Sequence, residues 1–299
     1  MSLPIVNAFS VDVEDYFQVA ALAPAVARDS WSARESRVER NTEVLLELLA
    51  ERSVRGTFFV LGWIAQHHPR LVQRIADQGH EIASHGYSHQ LIYTQTPREF
   101  REETRRAKDL LEELTGQPVT GYRAASFSIT ERSLWALDVL VELGFLYDSS
   151  VFPIRHDRYG IPGARAEPGP VRAPAGGSIV EFPLTVASCL GVRVPVSGGG
   201  YFRLLPYAVT RRGLRQINQR AGRPFVFYVH PWEVDPAQPR IRVDAFSRFR
   251  HYTNLDRCAT RLRRLLSEFQ FAPVRAVLQS RGLLPSPAPA APQLAAQSS

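Results

Sequence analysis

The sequence has few cysteines and no long apolar segment. Cys189 and Cys258 are the two thiols among 299 residues, too few for the disulfide framework of a small secreted protein or for a zinc knuckle. No apolar run approaches the roughly 20 residues needed to cross a bilayer. The first ten residues lack a basic segment followed by an apolar one, so no signal peptide is predicted. We therefore expect a cytoplasmic protein, at most peripheral to the inner membrane.

The charge balance is basic but does not indicate a nucleic-acid-binding protein. The chain has 36 basic and 29 acidic residues, a net charge of +7. Nearly all the basic residues are arginines, and they are spread among acidic neighbours without a recognisable nucleic-acid module. The hydrophobic content of 44% is enough for a substantial core. These properties are typical of a globular enzyme.

Strand and helix patterns alternate along most of the chain. Strands are predicted at 5–11, 56–61, 81–84, 121–124, 145–147, 178–182 and 224–229, and helices at about 69–78, 97–114, 131–143, 207–221 and 255–269. Alternation of this kind predicts an α/β fold with a parallel sheet or barrel, in which the carboxyl ends of the strands meet at one rim. Asp12, His85, Arg123 and Asp148 are expected at that rim.

Two segments lack a strand or helix pattern. Residues 155–177 are rich in proline and glycine, which predicts a long ordered loop over the rim. Residues 285–299 contain no charge and little bulk, so we expect a disordered tail.

A pair of histidines follows the predicted strand at 81–84. His85 and His89 are four residues apart, and on a helical turn two imidazoles at this spacing share one face and can hold one divalent cation. A chance pair on a solvated surface is the competing interpretation. The strand that precedes His85 makes a metal site the better hypothesis.

Three carboxylates, Asp12, Glu14 and Asp15, follow the first predicted strand. They cannot all be buried and ionised without a cation or a raised pKa. A metal ion would resolve that conflict, with one carboxylate as the third ligand and Asp12 left free as a base. Strand alternation favours Glu14 as the ligand, but a solvated acidic loop would equally explain Glu14 or Asp15 taken singly.

These motifs resemble those of the polysaccharide deacetylases of carbohydrate esterase family four, over roughly residues 5–230. The resemblance implies a distorted (β/α) barrel with Asp12 as catalytic base. It implies a divalent metal ion held by His85, His89 and either Glu14 or Asp15. Zinc is expected first, with cobalt or nickel as alternatives.

Two later motifs complete the resemblance. Arg123 begins Arg-Ala-Ala where the family has Arg-x-Pro, so the proline is missing; the resemblance implies that Arg123 orients the Asp12 base. His230 ends an apolar strand, as the family's late histidine does, and is implied to be the general acid. A backbone N–H at or near Tyr147 would bind the oxyanion.

Longer segments resemble a subgroup found with exosortase-linked exopolysaccharide loci. They are 197–206 and 230–233, which contain Tyr201 and Trp232. This resemblance predicts one deacetylase domain over 1–284, with a family-specific extension at about 231–284. It implies an N-acetylated polysaccharide or a lipid-linked oligosaccharide as partner.

Four further residues are predicted to contact substrate: Tyr147, Asp148, Tyr201 and Trp232. Asp148 could instead cap the turn that follows it, and Tyr201 and Trp232 could fill the packing of a loop rather than stack on sugars. Two other functions remain open. One is hydrolysis of a small cyclic amide, as in allantoinase, with or without a metal. The other is non-catalytic glycan binding in an export complex.

Overall fold

A computed structural model describes residues 4–156, 158–189 and 191–286. The tail predicted to be disordered therefore lies, from residue 287 onward, outside the described residues. Among the described residues, no helix is both long and apolar enough to cross a membrane.

The strands form one large sheet and one small hairpin. They are β1 Val6–Val13, β2 Thr57–Val60, β3 Glu81–Ser84, β4 Gly121–Tyr122, β5 Tyr147–Asp148, β6 Gly169–Arg172, β7 Ser178–Glu181, β8 Val186–Cys189, β9 Val192–Pro195, β10 Val226–Val229 and β11 Gln270–Ala272. The large sheet has the order β10-β1-β2-β3-β4-β5-β7-β6, and β11 also pairs with β1. Its pairings are parallel except that of β6 with β7.

Helices follow most of the strands. They are α1 Val38–Ala50, α2 Gly62–His67, α3 Pro69–Asp77, α4 Pro97–Thr115, α5 Ala136–Glu142, α6 Gly199–Leu204, α7 Tyr207–Gln219, α8 Ala245–Tyr252, α9 Leu255–Glu268 and α10 Val274–Ser280. The longest, α4, shows why its boundaries are sharp. Thr96 caps its first turn in a reciprocal arrangement with Glu99, and Gly116 ends it in the left-handed conformation with φ of 63°.

Alternation along β1 separates the core into an outer and an inner layer. Alternate side chains pack against the surrounding helices: Phe9, Val11 and Val13. The others face the interior of the sheet: Ala8, Ser10 and Asp12. Both faces of β1 are covered, so its polar residues Asn7, Ser10 and Asp12 are buried together with its apolar ones.

The sheet curls until its ends approach each other, which confirms the predicted distorted (β/α) barrel. Among the residues that the structure describes, no regular strand pair closes the barrel. The Thr185 hydroxyl donates to the Val226 carbonyl at 2.7 Å and accepts from the Val226 N–H at 2.9 Å. Nearby, Gly198 forms an isolated parallel bridge with Tyr228. A side chain and one bridge therefore connect the segment after β7 to β10.

The main differences from the predicted elements lie after residue 130. The segment 155–177, predicted as a loop, contains β6, which pairs with β7 in the antiparallel direction. The sequence of β6, Gly-Pro-Val-Arg, has no alternation of apolar and polar residues that would predict a strand. The helix predicted at 131–143 is broken into a short 3-10 turn, Glu131–Ser133, and α5. The hairpin β8–β9 and the helix α8 were not predicted.

His80, just before β3, makes the stability of the barrel sensitive to acid. Its Nδ1 accepts the Gly56 N–H at 3.1 Å, and burial, together with the nearby Arg55 cation, lowers the pKa of His80 from 6.5 to about 4. The unfolded chain therefore takes up a proton at a higher pH than the folded chain does. Stability from this group is full above about pH 6.5 and is lost as the pH falls towards 4.

We expect His80→Asn to reduce the loss of unfolding free energy between pH 7 and pH 4.5. The asparagine carbonyl can accept the same N–H but does not titrate. Denaturant unfolding of both proteins at the two pH values measures the difference. An equal loss in the two proteins would show that His80 does not contribute to acid sensitivity.

Candidate metal centre and active site

The candidate site lies where the adjacent strands β10 and β1 end, together with β3, which is separated from β1 by β2. β1 ends beside Glu14, β3 ends before His85, and β10 ends before His230. Because these strands are parallel and lie close together in the sheet, their carboxyl ends reach the same rim. A cavity of about 400 Å³ opens there, and its lining includes Asp12, Glu14, His85, His89, Tyr201, Tyr228, His230 and Trp232.

Glu14, His85 and His89 form a set that could hold a metal ion. Each offers one ligand atom, and these atoms lie within 4.8 Å of one another. His89 Nε2 is 2.7 Å from Glu14 Oε2, so the two groups are in direct contact. Two imidazoles and one carboxylate are the ligand composition of many catalytic zinc sites.

The His85 ring is oriented by the main chain. Its Nδ1 lies 2.8 Å from the Arg123 carbonyl oxygen, an acceptor that requires the proton on Nδ1 and leaves Nε2 free as a ligand atom. Burial lowers the pKa of His85 to about 4. The ring is therefore neutral near pH 7, as a metal ligand must be.

The two histidines are connected by a loop rather than by the helical turn that their spacing suggested. Residues 85–89 contain no helix, and both Gly86 (φ 76°) and His89 (φ 52°) adopt left-handed conformations. Positive φ is uncommon for a residue with a side chain, and such strain is concentrated at functional sites. Here it turns the His89 ring back towards Glu14.

The structure places Glu14, not Asp15, with the histidines. Both Asp15 oxygens are already occupied: one accepts the Tyr16 N–H at 2.8 Å, and the other accepts the Ser36 hydroxyl at 2.7 Å and the N–H groups of Arg37 and Val38 at 2.8 and 3.1 Å. Asp15 thus caps local structure. Glu14 points into the cavity on the same side as Asp12, the alternative that strand alternation favoured.

Three neighbours keep the Glu14 carboxylate charged and fixed. Trp232 Nε1 donates to its Oε1 at 3.1 Å. Burial alone would raise the pKa of Glu14, but the imidazoles of His89 and His230 outweigh burial and hold that pKa well below its usual range.

Asp12 is paired with a fully buried arginine. Arg123 Nη1 donates to Asp12 Oδ1 at 2.7 Å and to the Ser10 hydroxyl at 2.8 Å. Its other nitrogens donate to the Ser149 carbonyl and hydroxyl at 3.0 and 2.9 Å. The second Asp12 oxygen, Oδ2, is 3.9 Å from His230 Nε2, so it faces the cavity.

The replacement of the family's proline by Ala125 is accompanied by an unusual backbone. The next two residues, Ser126 and Phe127, have φ of 49° and 56° and line the cavity. The loop still delivers Arg123 to Asp12.

On the side away from the cavity, His230 is oriented by the buried ion pair of Glu233 with Arg203. Its Nδ1 lies 2.9 Å from Glu233 Oε2, and Glu233 Oε1 accepts from Arg203 Nε at 2.6 Å. Its Nε2 is 3.5 Å from Glu14 Oε1. Burial would lower the pKa of His230, but the carboxylates of Glu14, Glu233 and Asp12 outweigh burial and raise it to about 9.

Glu233 and Arg203 were not identified from the sequence as site residues. Both lie in the two segments that carry the subgroup resemblance, which was the one signal pointing to them. The backbone of the first segment approaches β10 so closely that only glycine fits at position 198, where a Cβ would lie 1.9 Å from the Tyr228 carbonyl oxygen. This approach places α6, and with it Arg203, behind His230.

The four predicted substrate contacts fall into two groups. Tyr201 and Trp232 line the cavity. Tyr201 is partly exposed, with its hydroxyl 3.4 Å from that of Tyr159. Trp232 is only 4% exposed and stacks between the rings of His230 and His251, at 5.1 and 4.3 Å. Its main contacts are therefore with site residues.

Tyr147 and Asp148 lie outside the cavity lining. Both are fully buried in β5, where the Tyr147 hydroxyl donates to Glu81 at 3.0 Å and its N–H donates to the Thr120 carbonyl. Asp148 accepts the Ser150 hydroxyl at 2.5 Å, in agreement with the alternative of a turn-capping role. Neither placement supports a substrate contact, because the pairing of β5 with β4 and β7 buries both side chains.

Solved structures with the same overall fold include two proteins assigned as polysaccharide deacetylases. One, from Mycobacterium smegmatis, has a TM-score of 0.62 and 21% identity, covering 97% of this chain and 96% of the other. The second, from Pseudomonas aeruginosa PAO1, has a TM-score of 0.59 and 17% identity over 92% and 90% of the chains. The allantoinase PuuE shares the fold at a TM-score of 0.58 and 15% identity, over 92% and 89%. The chain therefore has the polysaccharide deacetylase type of (β/α) barrel.

Sequence comparison identifies two consecutive domain families. Residues 29–146 match the polysaccharide deacetylase family, and residues 149–279 match a domain of unknown function, DUF3473. A peptidoglycan-N-acetylglucosamine deacetylase of Bacillus cereus is 34% identical over 98 residues, 32% of this chain and 36% of that protein. A peptidoglycan deacetylase of Helicobacter pylori is 31% identical over 107 residues, 36% of each. The match thus spans about a third of these relatives, and it is residues 29–146 that are similar to polysaccharide deacetylases.

Substitution of each acidic neighbour should separate metal binding from local capping. We expect Glu14→Gln to weaken zinc binding to the metal-stripped protein by more than about 100-fold. Loss of a residue that only hydrogen-bonds to a metal ligand typically weakens binding by roughly 10- to 100-fold, and loss of a ligand itself should cost more. Asp15→Asn should leave the zinc affinity unchanged and lower the free energy of unfolding by about 1–2 kcal/mol, because it removes hydrogen-bond acceptors at a cap. Calorimetric zinc titration and denaturant unfolding measure the two effects. Loss of zinc binding in Asp15→Asn alone would reverse the ligand assignment.

Proposed function

We propose that this chain is a metal-dependent hydrolase that removes N-acetyl groups from amino sugars of a bacterial exopolysaccharide or its precursor. One observation carries the proposal: a single cavity brings the Glu14, His85 and His89 set together with Asp12 and His230. The buried Arg123 holds Asp12 directly. The buried Arg203 holds Glu233, which in turn contacts His230. Amide hydrolysis needs such a base and acid on the two sides of a polarised carbonyl.

Glu14, His85 and His89 would hold the metal, with zinc expected first. The fit rests on the neutral His85 ring, the burial of all three side chains and the convergence of the three ligand atoms. When bound, such an ion polarises the acetyl carbonyl and makes a nucleophilic water available near neutral pH.

Asp12 and His230 supply the proton transfers. Asp12 Oδ2 accepts a proton from the water that adds to the carbonyl carbon, while Arg123 holds the other oxygen in place. His230 Nε2 donates a proton to the amide nitrogen as the C–N bond breaks, which releases acetate and leaves a free amine on the sugar. The high pKa of His230 favours the protonated form that this role requires.

The substrate class follows from the relatives and from the subgroup resemblance. Relatives of the deacetylase domain are named as peptidoglycan and chitooligosaccharide deacetylases, whose names specify N-acetylated sugars. The segments at 197–206 and 230–233 support an exopolysaccharide, and here they supply Arg203 and Glu233 to the site. We place the reaction in the cytoplasm or at the inner face of the membrane, on a polysaccharide or a lipid-linked oligosaccharide.

Acetate release from N-acetylglucosamine oligomers tests the proposal. We expect activity that is lost on chelation and restored by zinc, cobalt or nickel. Asp12→Asn should lower kcat by roughly 10²- to 10⁴-fold, the usual contribution of a general base. Allantoin serves as the comparison substrate. Hydrolysis of allantoin without acetate release would favour the cyclic-amide alternative, and absence of both reactions with wild-type zinc-loaded protein would favour the non-catalytic one.

The contact behind His230 gives a separate prediction. Glu233→Gln keeps a side chain of the same size but removes the charge that holds His230 and Arg203. We expect kcat to fall by roughly 10- to 100-fold with KM within a factor of two, because the histidine acts after substrate is bound. Steady-state kinetics on the same oligomers measure both constants. A rise in KM with unchanged kcat would assign Glu233 to substrate binding instead.

A further inference from the structure

Helix α8 presents two exposed aromatic side chains at the mouth of the cavity. Phe246 is 66% exposed and Phe249 is 56% exposed. Together with Arg250 they occupy positions i, i+3 and i+4, so the three side chains share one face of the helix. All three line the cavity that contains Asp12 and His89. Large apolar side chains clustered in the open are typical of binding surfaces.

We propose that this face of α8, which we call the α8 rim, binds a second sugar ring of the glycan chain that is being deacetylated. The inference rests on the proposed function and specifies its substrate: an oligosaccharide or polymer, not a free amino sugar. A pyranose ring has a C–H face that an aromatic ring can cover and a polar edge that a guanidinium can reach. Phe246 and Phe249 offer the first kind of contact, and Arg250 offers the second.

The rim is held rigidly relative to the reacting groups. Asp244 caps α8 by accepting the N–H groups of Phe246 and Ser247 at 3.0 and 2.9 Å. At the other end, Arg203 donates to the carbonyls of Arg250 and His251, at 2.9 and 3.0 Å. Arg203 is also the residue that holds Glu233 behind His230. One guanidinium therefore fixes both the end of α8 and the candidate acid.

A stack of aromatic rings forms a second connection between α8 and His230. The His251 ring, on the buried side of α8, stacks on Trp232 with centroids 4.3 Å apart, and Trp232 stacks on His230 at 5.1 Å. Preorganised aromatic surfaces bind with little loss of conformational entropy. A sugar ring bound at the α8 rim would thus have a defined position relative to the reacting amide.

The placement of the phenylalanines favours a sugar over a lipid surface. Helices that bind membranes expose an apolar face along their length to the bilayer. In α8, which has eight residues, both phenylalanines line the reaction cavity, and the Arg250 guanidinium lies 5.3 Å from the Phe246 ring centroid. Tyr201 and Tyr159 line the same cavity and offer hydroxyl groups to a bound sugar.

The test compares zinc-loaded wild-type protein with the double variant Phe246→Ala/Phe249→Ala on N-acetylglucosamine and on its tetramer. We expect KM for the tetramer to rise about threefold to tenfold for each aromatic ring removed, with kcat within twofold and the monomer constants unchanged. Phe246→Tyr, which keeps an aromatic face, should behave as wild type. Leu146→Ala is the matched control, because Leu146 is 42% exposed but does not line the cavity.

A binding measurement separates failure of this inference from failure of the proposed function. Calorimetric titration of the tetramer into Asp12→Asn protein, with and without the α8 substitutions, measures binding at the α8 rim even if no acetate is released. Weaker tetramer binding in the α8 variant supports the rim. Equal tetramer binding, equal loss for monomer and tetramer, or no tetramer binding by either protein overturns it. So does an unchanged tetramer affinity together with a selective loss of binding to phosphatidylglycerol vesicles, which would identify a lipid contact.

Discussion

The site depends on one buried ion pair, that of Asp12 with Arg123. Removing two charges from water is costly unless their remaining hydrogen-bonding capacity is satisfied. Here the guanidinium reaches Asp12, Ser10 and both oxygens of Ser149, and it lies 4.1 Å from the Phe59 ring. The Arg123 carbonyl also orients His85. The candidate base and one candidate metal ligand are therefore positioned by a single residue after β4, so an error in its placement would displace both.

A second arginine performs the corresponding task on the other side of the cavity. Arg203 holds Glu233, which holds His230, and the remaining Arg203 donors fix the end of α8. The two halves of the site thus share one design, in which a buried arginine determines where a titratable group lies. Such pairs are weak evidence for stability but they specify geometry, since removal of either partner leaves an uncompensated charge.

The parts of the site that the sequence predicts are those fixed by strand ends. Asp12, His85, Arg123 and His230 follow apolar strands, and parallel strands bring their ends to one rim even when their boundaries are misjudged by a residue or two. Tyr147 and Asp148 were expected in the cavity because the strand there was predicted to end at Tyr147, whereas both residues form β5 and are fully buried. The contact between Arg203 and Glu233 spans 30 residues and depends on how α6 rests on β10. No periodic pattern encodes a contact of that kind.

The boundary between the two matched segments, near residue 147, passes through the middle of one sheet. β1 precedes both matched segments, and it pairs with β2 of the first segment and with β10 and β11 of the second. A strand outside both matched segments therefore joins them in one sheet. His230 lies in the second matched segment and is held by buried partners, whereas the outer face of α8 is exposed at the cavity mouth. If the proposed function holds, substitutions on that short helix would alter which glycan is bound without changing the reacting groups.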